Sequence, residues 1–104
     1  MKGNEPMVRH IVVWRLAKTP NAEQTAKTIK EKLEALKDKI SVIEDIEVGI
    51  NFNETEAASD LVLVSTFKSA EDLNTYINHP EHKAVGAEYV RPNVSERRVV
   101  DYEF

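Results

Sequence analysis

The stretch VRHIVVWRL, residues 8–16, is crowded with β-branched and aromatic side chains and reads as a strand. Val8, Val12, Trp14 and Leu16 fall on one side of it, and Ile11 and Val13 on the other. Residues 60–68 repeat the pattern, with Leu61, Leu63 and Phe67 opposed to Val62, Val64 and Thr66. A strand that is apolar on both sides needs cover on both sides. Helices packed on one face close only that face, so the other calls for a second copy of the chain, and a homodimer with apposed sheets is expected.

Outward from these strands the remaining elements follow. Pro20 suits the first turn of a helix, with Thr19 or Asn21 as its cap. Ala26, Ile29, Leu33, Leu36 and Ile40 then form one apolar stripe, which predicts a helix of about five turns. Its opposite side pairs Glu23 with Lys27, Lys27 with Glu31 and Lys30 with Glu34, and reads as a solvated face. Ile46, Val48, Ile50 and Phe52 alternate with Glu47, Gly49 and Asn51 as a further strand. Ser69-Ala70-Glu71-Asp72 resembles a capping box and opens a second helical region, interrupted near Asn78-His79-Pro80 and resuming to about Tyr89. Residues 95–104 form the last strand. The order β-α-β-β-α-β gives an α+β sheet with both helices on one face. Residues 1–6 are polar and read as a disordered extension ahead of a domain at 7–104.

Composition narrows the functional classes. The 104 residues include no cysteine, which excludes a disulfide framework, a thiolate nucleophile and a zinc–thiolate site. Apolar runs are too short for a membrane span, and MKGNEPMVRH holds no signal-like apolar segment, so a cytoplasmic protein with no membrane partner is expected. The third strand, LVLVSTF, lacks the basic-aromatic signature of an RNA-recognition module, and the net charge of −4 also disfavours nucleic acid. No glycine loop cradles a phosphate. Arg97-Arg98 at the start of the last strand could meet an anion, although charges at a strand end are more often solvated.

The candidate chemistry lies in three histidines and a tyrosine. His10 shares a strand face with Val12 and Trp14, while His79 and His82 stand in the run Tyr76-Ile77-Asn78-His79-Pro80-Glu81-His82. An imidazole near a tyrosine hydroxyl makes a workable general base, its pKa being naturally close to neutrality. The competing reading has Pro80 fix a helix break and the histidines merely satisfy local hydrogen bonds. A metal held by His79, His82 and His10 is disfavoured because Pro80 prevents one regular helix from aiming both rings at one ion, and no metal is assigned.

The segments VRHIVVWRL at 8–16, VIEDIEVGINFN at 42–53, YINHPEHKAV at 76–85 and VVDYEF at the end together resemble the stress-responsive A/B barrel (Dabb) family. The resemblance implies a ferredoxin-like βαββαβ fold and a dimeric α/β barrel. By similarity to a plant polyketide cyclase of that family, which works without a cofactor, His82 corresponds to the catalytic base and Tyr76 to its partner. His10 corresponds to the pocket histidine of the first strand, and His79 and Trp14 join it as expected ligand-binding residues. Three readings follow: a dimer binding a small, partly apolar molecule in the barrel, a cofactor-free cyclase or lyase, and a structural stress-related dimer with no ligand. A monooxygenase of the antibiotic-biosynthesis type shares the fold, but no residue set here selects it.

Overall fold

A computed structural model describes residues 6–104; most of the extension expected at 1–6 lies outside the described residues. Four strands, β1 (Val8–Leu16), β2 (Asp45–Ile50), β3 (Leu61–Phe67) and β4 (Val94–Glu103), form one antiparallel sheet in the order β2-β3-β1-β4. Helices α1 (Ala22–Glu34), α2 (Ala70–Asn78) and α3 (Pro80–Val85) belong to the covering layer. A π-helical turn, Gly86–Val90, and a 3-10 turn, Arg91–Asn93, lead from α3 into β4. This is the ferredoxin-like α+β arrangement expected.

β1 sits in the middle of the sheet and is buried on alternate residues: Val8, His10, Val12, Trp14 and Leu16 face the helices. β3 lays Leu61, Leu63, Ser65 and Phe67 on the same side. Ala26, Ile29 and Leu33 of α1 and Leu73 and Tyr76 of α2 complete that core. The reverse side of the sheet has no helix. Ile11, Val13, Val62 and Val64 lie there half-buried, and Val100 is 60% exposed. Opposite Leu16 and Arg15 the pairing of β1 with β4 shifts, leaving Ser95 as an extra residue in β4.

Several expectations need correction. The stripe from Ala26 to Ile40 is not one helix: α1 ends at Glu34 and tightens into a 3-10 turn over Ala35–Asp38, which still buries Leu36. Ile40 follows the turn and is buried as well. Helix α1 begins at Ala22, so Pro20 lies in the preceding turn, and Asn21 caps without a side-chain bond. β2 stops at Ile50, and Phe52, expected to continue the alternation, is 95% exposed in the following loop. Lys30 and Glu34 do more than line a wet face. Lys30 Nζ donates to Val48 O at 2.6 Å, and Val48 N–H donates to Glu34 Oε2 at 3.0 Å, so the pair grips edge strand β2 by its backbone. Burial opposes the charge on Glu34, but bonds from Lys30 and Val48 outweigh it and hold the carboxyl below its usual value. Ser69 caps α2 as expected, accepting from Asp72 N–H at 3.1 Å. Among the described residues no helix is long and apolar enough to cross a membrane.

Candidate functional site

A cavity of about 310 Å3 lies between the helix-covered side of the sheet and the α3–π segment. β1 contributes His10, Val12 and Trp14 to its wall, α2 contributes Tyr76, α3 contributes His82, and Arg97 comes from β4. Four of the five sequence candidates therefore meet in one place. That place is within a single chain, on the side of the sheet away from the surface expected to meet a second copy.

The helix break makes this gathering possible. Six residues of unbroken α-helix would turn Tyr76 and His82 about 240° apart, on different sides of the helix. Instead His79 is extended, Pro80 opens α3 at its first position, and the chain changes direction between the two. The rings of Tyr76 and His82 then lie 4.4 Å apart between centroids, and those of Tyr76 and His10 lie 6.1 Å apart edge-on. His79 pays for the break. Its Nδ1 accepts the Glu81 N–H at 3.0 Å, a local capping bond, and it does not line the cavity. Its expected ligand-binding role is thus not supported by its placement, and the local-hydrogen-bond reading describes it instead.

Both cavity imidazoles are held in one tautomer when neutral. His82 Nδ1 lies 3.0 Å from Ile77 O, and a carbonyl can only accept, so Nδ1 carries the proton and Nε2 is left as the basic nitrogen. Burial lowers the pKa of His82, aided by the positive fields of His10, Arg97 and Arg91 and opposed by the Ile77 bond. His10, 3% exposed, sets Nδ1 2.5 Å from Asp101 Oδ1, which leaves its Nε2 as acceptor. Near both rings Tyr76 is fully buried, its hydroxyl has no hydrogen-bond partner, and burial pushes its pKa above the ordinary tyrosine value. Trp14 Nε1–H is likewise buried and unpartnered. An unmet buried donor costs on the order of 1–3 kcal/mol, so both groups favour a guest that can accept a hydrogen bond.

Asp101 and Arg91 were missed as site residues, and Arg97 was raised with Arg98 as an anion contact but weighed as more often solvated. Asp101 stands opposite His10 only through the β1–β4 register, 91 positions along the chain, and no local spacing reports that pairing. A carboxylate on the strand that neighbours a buried histidine was the one signal that could have found it. Among the described residues no group of three or more histidines and carboxylates is disposed to hold a metal ion.

Comparison with known proteins agrees with this architecture. A dimeric protein of unknown function with a ferredoxin-like fold from Bacteroides fragilis is 40% identical, with a TM-score of 0.86 over 94% of this chain and 96% of that one. A Dabb family protein from Mesorhizobium loti is 20% identical, with a TM-score of 0.78 over 93% of this chain and 95% of the other. The hydroxynitrile lyase of Passiflora edulis is 21% identical and shares the fold, with a TM-score of 0.82 over 96% of this chain and 94% of the lyase. No curated protein matches the sequence. The sequence profile of the stress responsive A/B barrel domain matches residues 8–104, and the chain belongs to that family.

Proposed function

We propose that the cavity binds a small, partly apolar carbonyl compound, and that the chain does so as a cytoplasmic homodimer. The observation that carries the ligand is the Tyr76 hydroxyl, buried without a partner on a ring that neighbours two oriented imidazoles. A carbonyl oxygen accepts from that hydroxyl, while Val12, Leu63 and Val90 supply the apolar wall. Thermal shift with 1-phenylbutane-1,3-dione tests this. At 100 times its dissociation constant such a ligand adds about 2.7 kcal/mol, several degrees for a domain of this size. A shift that vanishes in Tyr76→Phe supports the reading, and no shift in the wild type overturns it.

A second reading, cofactor-free lyase or cyclase chemistry, is favoured by the tautomer of His82. Its unprotonated Nε2 can take a proton from a carbon next to a carbonyl, or from a hydroxyl, while Tyr76 O–H donates to the developing oxyanion. His10, steadied by Asp101, has its ring 6.1 Å from that of the tyrosine. The Passiflora relative, described as a hydroxynitrile lyase, supports only that this fold accommodates such chemistry. Turnover that falls about a hundredfold in His82→Ala with the fold retained is the expected sign of a base.

The homodimer is supported by the uncovered apolar strip of Ile11, Val13, Val62, Val64 and Val100, and by the dimeric relative from Bacteroides fragilis. Light scattering at micromolar concentration tests it, and a stable monomer sinks it.

A further inference from the structure

The cavity's charge is unlike that of the chain around it. The protein carries a net charge of −4, yet the wall of the 310 Å3 cavity holds Arg91 and Arg97 and no carboxylate. Arg97 stands opposite Trp14 in the β1–β4 register and so shares the helix-covered side with His10 and Asp101. Its neighbour Arg98 goes to the other side, where it pairs with Glu96 at 3.2 Å. Arg91 enters from the turn that follows the π-helical segment, beside Gly86, where an added Cβ would come within 3.4 Å of Arg91 Nη1. The near carboxylate on this side, Asp101, is engaged by His10. Among the described residues no carboxylate forms an ion pair with either guanidinium.

Both arginines are exposed, so their guanidiniums stand where a ligand entering from solvent meets them, while Tyr76 and His10 lie fully buried. From this arrangement we infer that the ligand is an anionic carbonyl compound, a keto acid whose carboxylate is held by Arg97 and Arg91 while its carbonyl reaches Tyr76. This rests on the carbonyl-binding reading above and names the substrate class of that same site. Two guanidiniums suit a carboxylate because each presents parallel N–H donors in a planar fork. The partial burial of the site strengthens the attraction relative to open water.

The test compares 4-oxo-4-phenylbutanoate with its methyl ester, which differ chiefly in the negative charge, by calorimetric titration. The wild type is expected to bind the acid about tenfold more tightly than the ester, or better. Arg97→Gln and Arg91→Gln each lower that ratio, the double variant brings it close to one, and Arg97→Lys keeps part of it. Both positions are exposed, so the variants are expected to keep the fold, and circular dichroism checks that. Equal wild-type affinities for acid and ester, with ester binding lost in Tyr76→Phe, overturn the anion assignment and leave the carbonyl reading standing. A ratio unmoved by the double variant also overturns it. Binding of neither compound overturns both.

Discussion

The two sides of the sheet are built from similar residues and end in opposite circumstances. On the helix-covered side Val8, Val12, Leu61, Leu63 and Phe67 are each under 5% exposed. On the other, Ile11, Val13, Val62 and Val64 are only half-covered by their neighbours in the sheet, and Val100 is mostly exposed. Polar groups divide differently. His10, Ser65, the Trp14 N–H and the Tyr76 hydroxyl all belong to the covered side. The covered side thus holds both the core and the candidate site, and the open side carries an apolar strip flanked by Arg9, Thr66 and the Arg98–Glu96 pair. Water exclusion explains the division: a buried hydroxyl or imidazole acts on a guest more strongly where solvent does not compete. In the proposed homodimer the open side serves assembly.

Perturbing each side in turn sharpens this contrast. The largest effect belongs to the covered core. Ile29→Ala removes a fully buried side chain and should cost about 2–5 kcal/mol in denaturant unfolding. Val64→Lys on the open side should leave circular dichroism unchanged but weaken dimerisation about a hundredfold or more, read by ultracentrifugation over a concentration series. If Val64→Lys instead leaves assembly unchanged, or unfolds the chain outright, the division of labour between the sides is wrong.

Tyr76→Phe separates chemistry from packing on the covered side. The hydroxyl has no bond to lose and its unmet burial is relieved, so stability should hold or rise, by up to about 1–3 kcal/mol, while carbonyl-probe affinity falls about tenfold. The smallest effect is in pH. His82 has a folded pKa below its ordinary 6.5, so the unfolded chain binds its proton first as pH falls. Its contribution to stability is therefore complete above about 6.5 and is lost as pH drops through the lower folded value. Melting temperature measured from pH 7.5 down to 5 should show this loss, and His82→Gln should flatten it. A steeper fall in the variant would mean that another group dominates.

Much of the frame was legible in the sequence because its causes are local. Runs of β-branched residues marked β1 and β3, Ser69 marked the start of α2, and Pro80 marked the break that brings Tyr76 and His82 together. Where α1 ends was not legible, since the apolar stripe continues through a 3-10 turn that buries Leu36 just as well. Nor was the exposure of Phe52, because period-two spacing persists beyond the last ladder bond of β2. Three of the site's histidine and tyrosine residues could be named from their types and spacing. Asp101 could not, nor could the inward side of Arg97 be told from that of Arg98, because both depend on the register between strands at opposite ends of the chain; Arg91 reaches the cavity from a turn that no spacing reports.

The extra residue at Ser95 shows how fine that dependence is. Counted by twos from Val94, which lines the cavity, Arg98 would be the arginine on the inner side. One unpaired residue shifts the parity, so Arg97 turns inward and Arg98 outward. The electrostatic character of the cavity is in this sense a matter of phase: the same ten side chains of β4, read one step out of step, would present Glu96 and Arg98 to the guest and send Arg97 and Asp101 to the dimer side. Were Ser95 paired with Arg15 instead of left over, the two faces would exchange their charges and His10 would lose its carboxylate without the change of a single functional residue, whereas deleting Ser95 outright would leave every pair as it is.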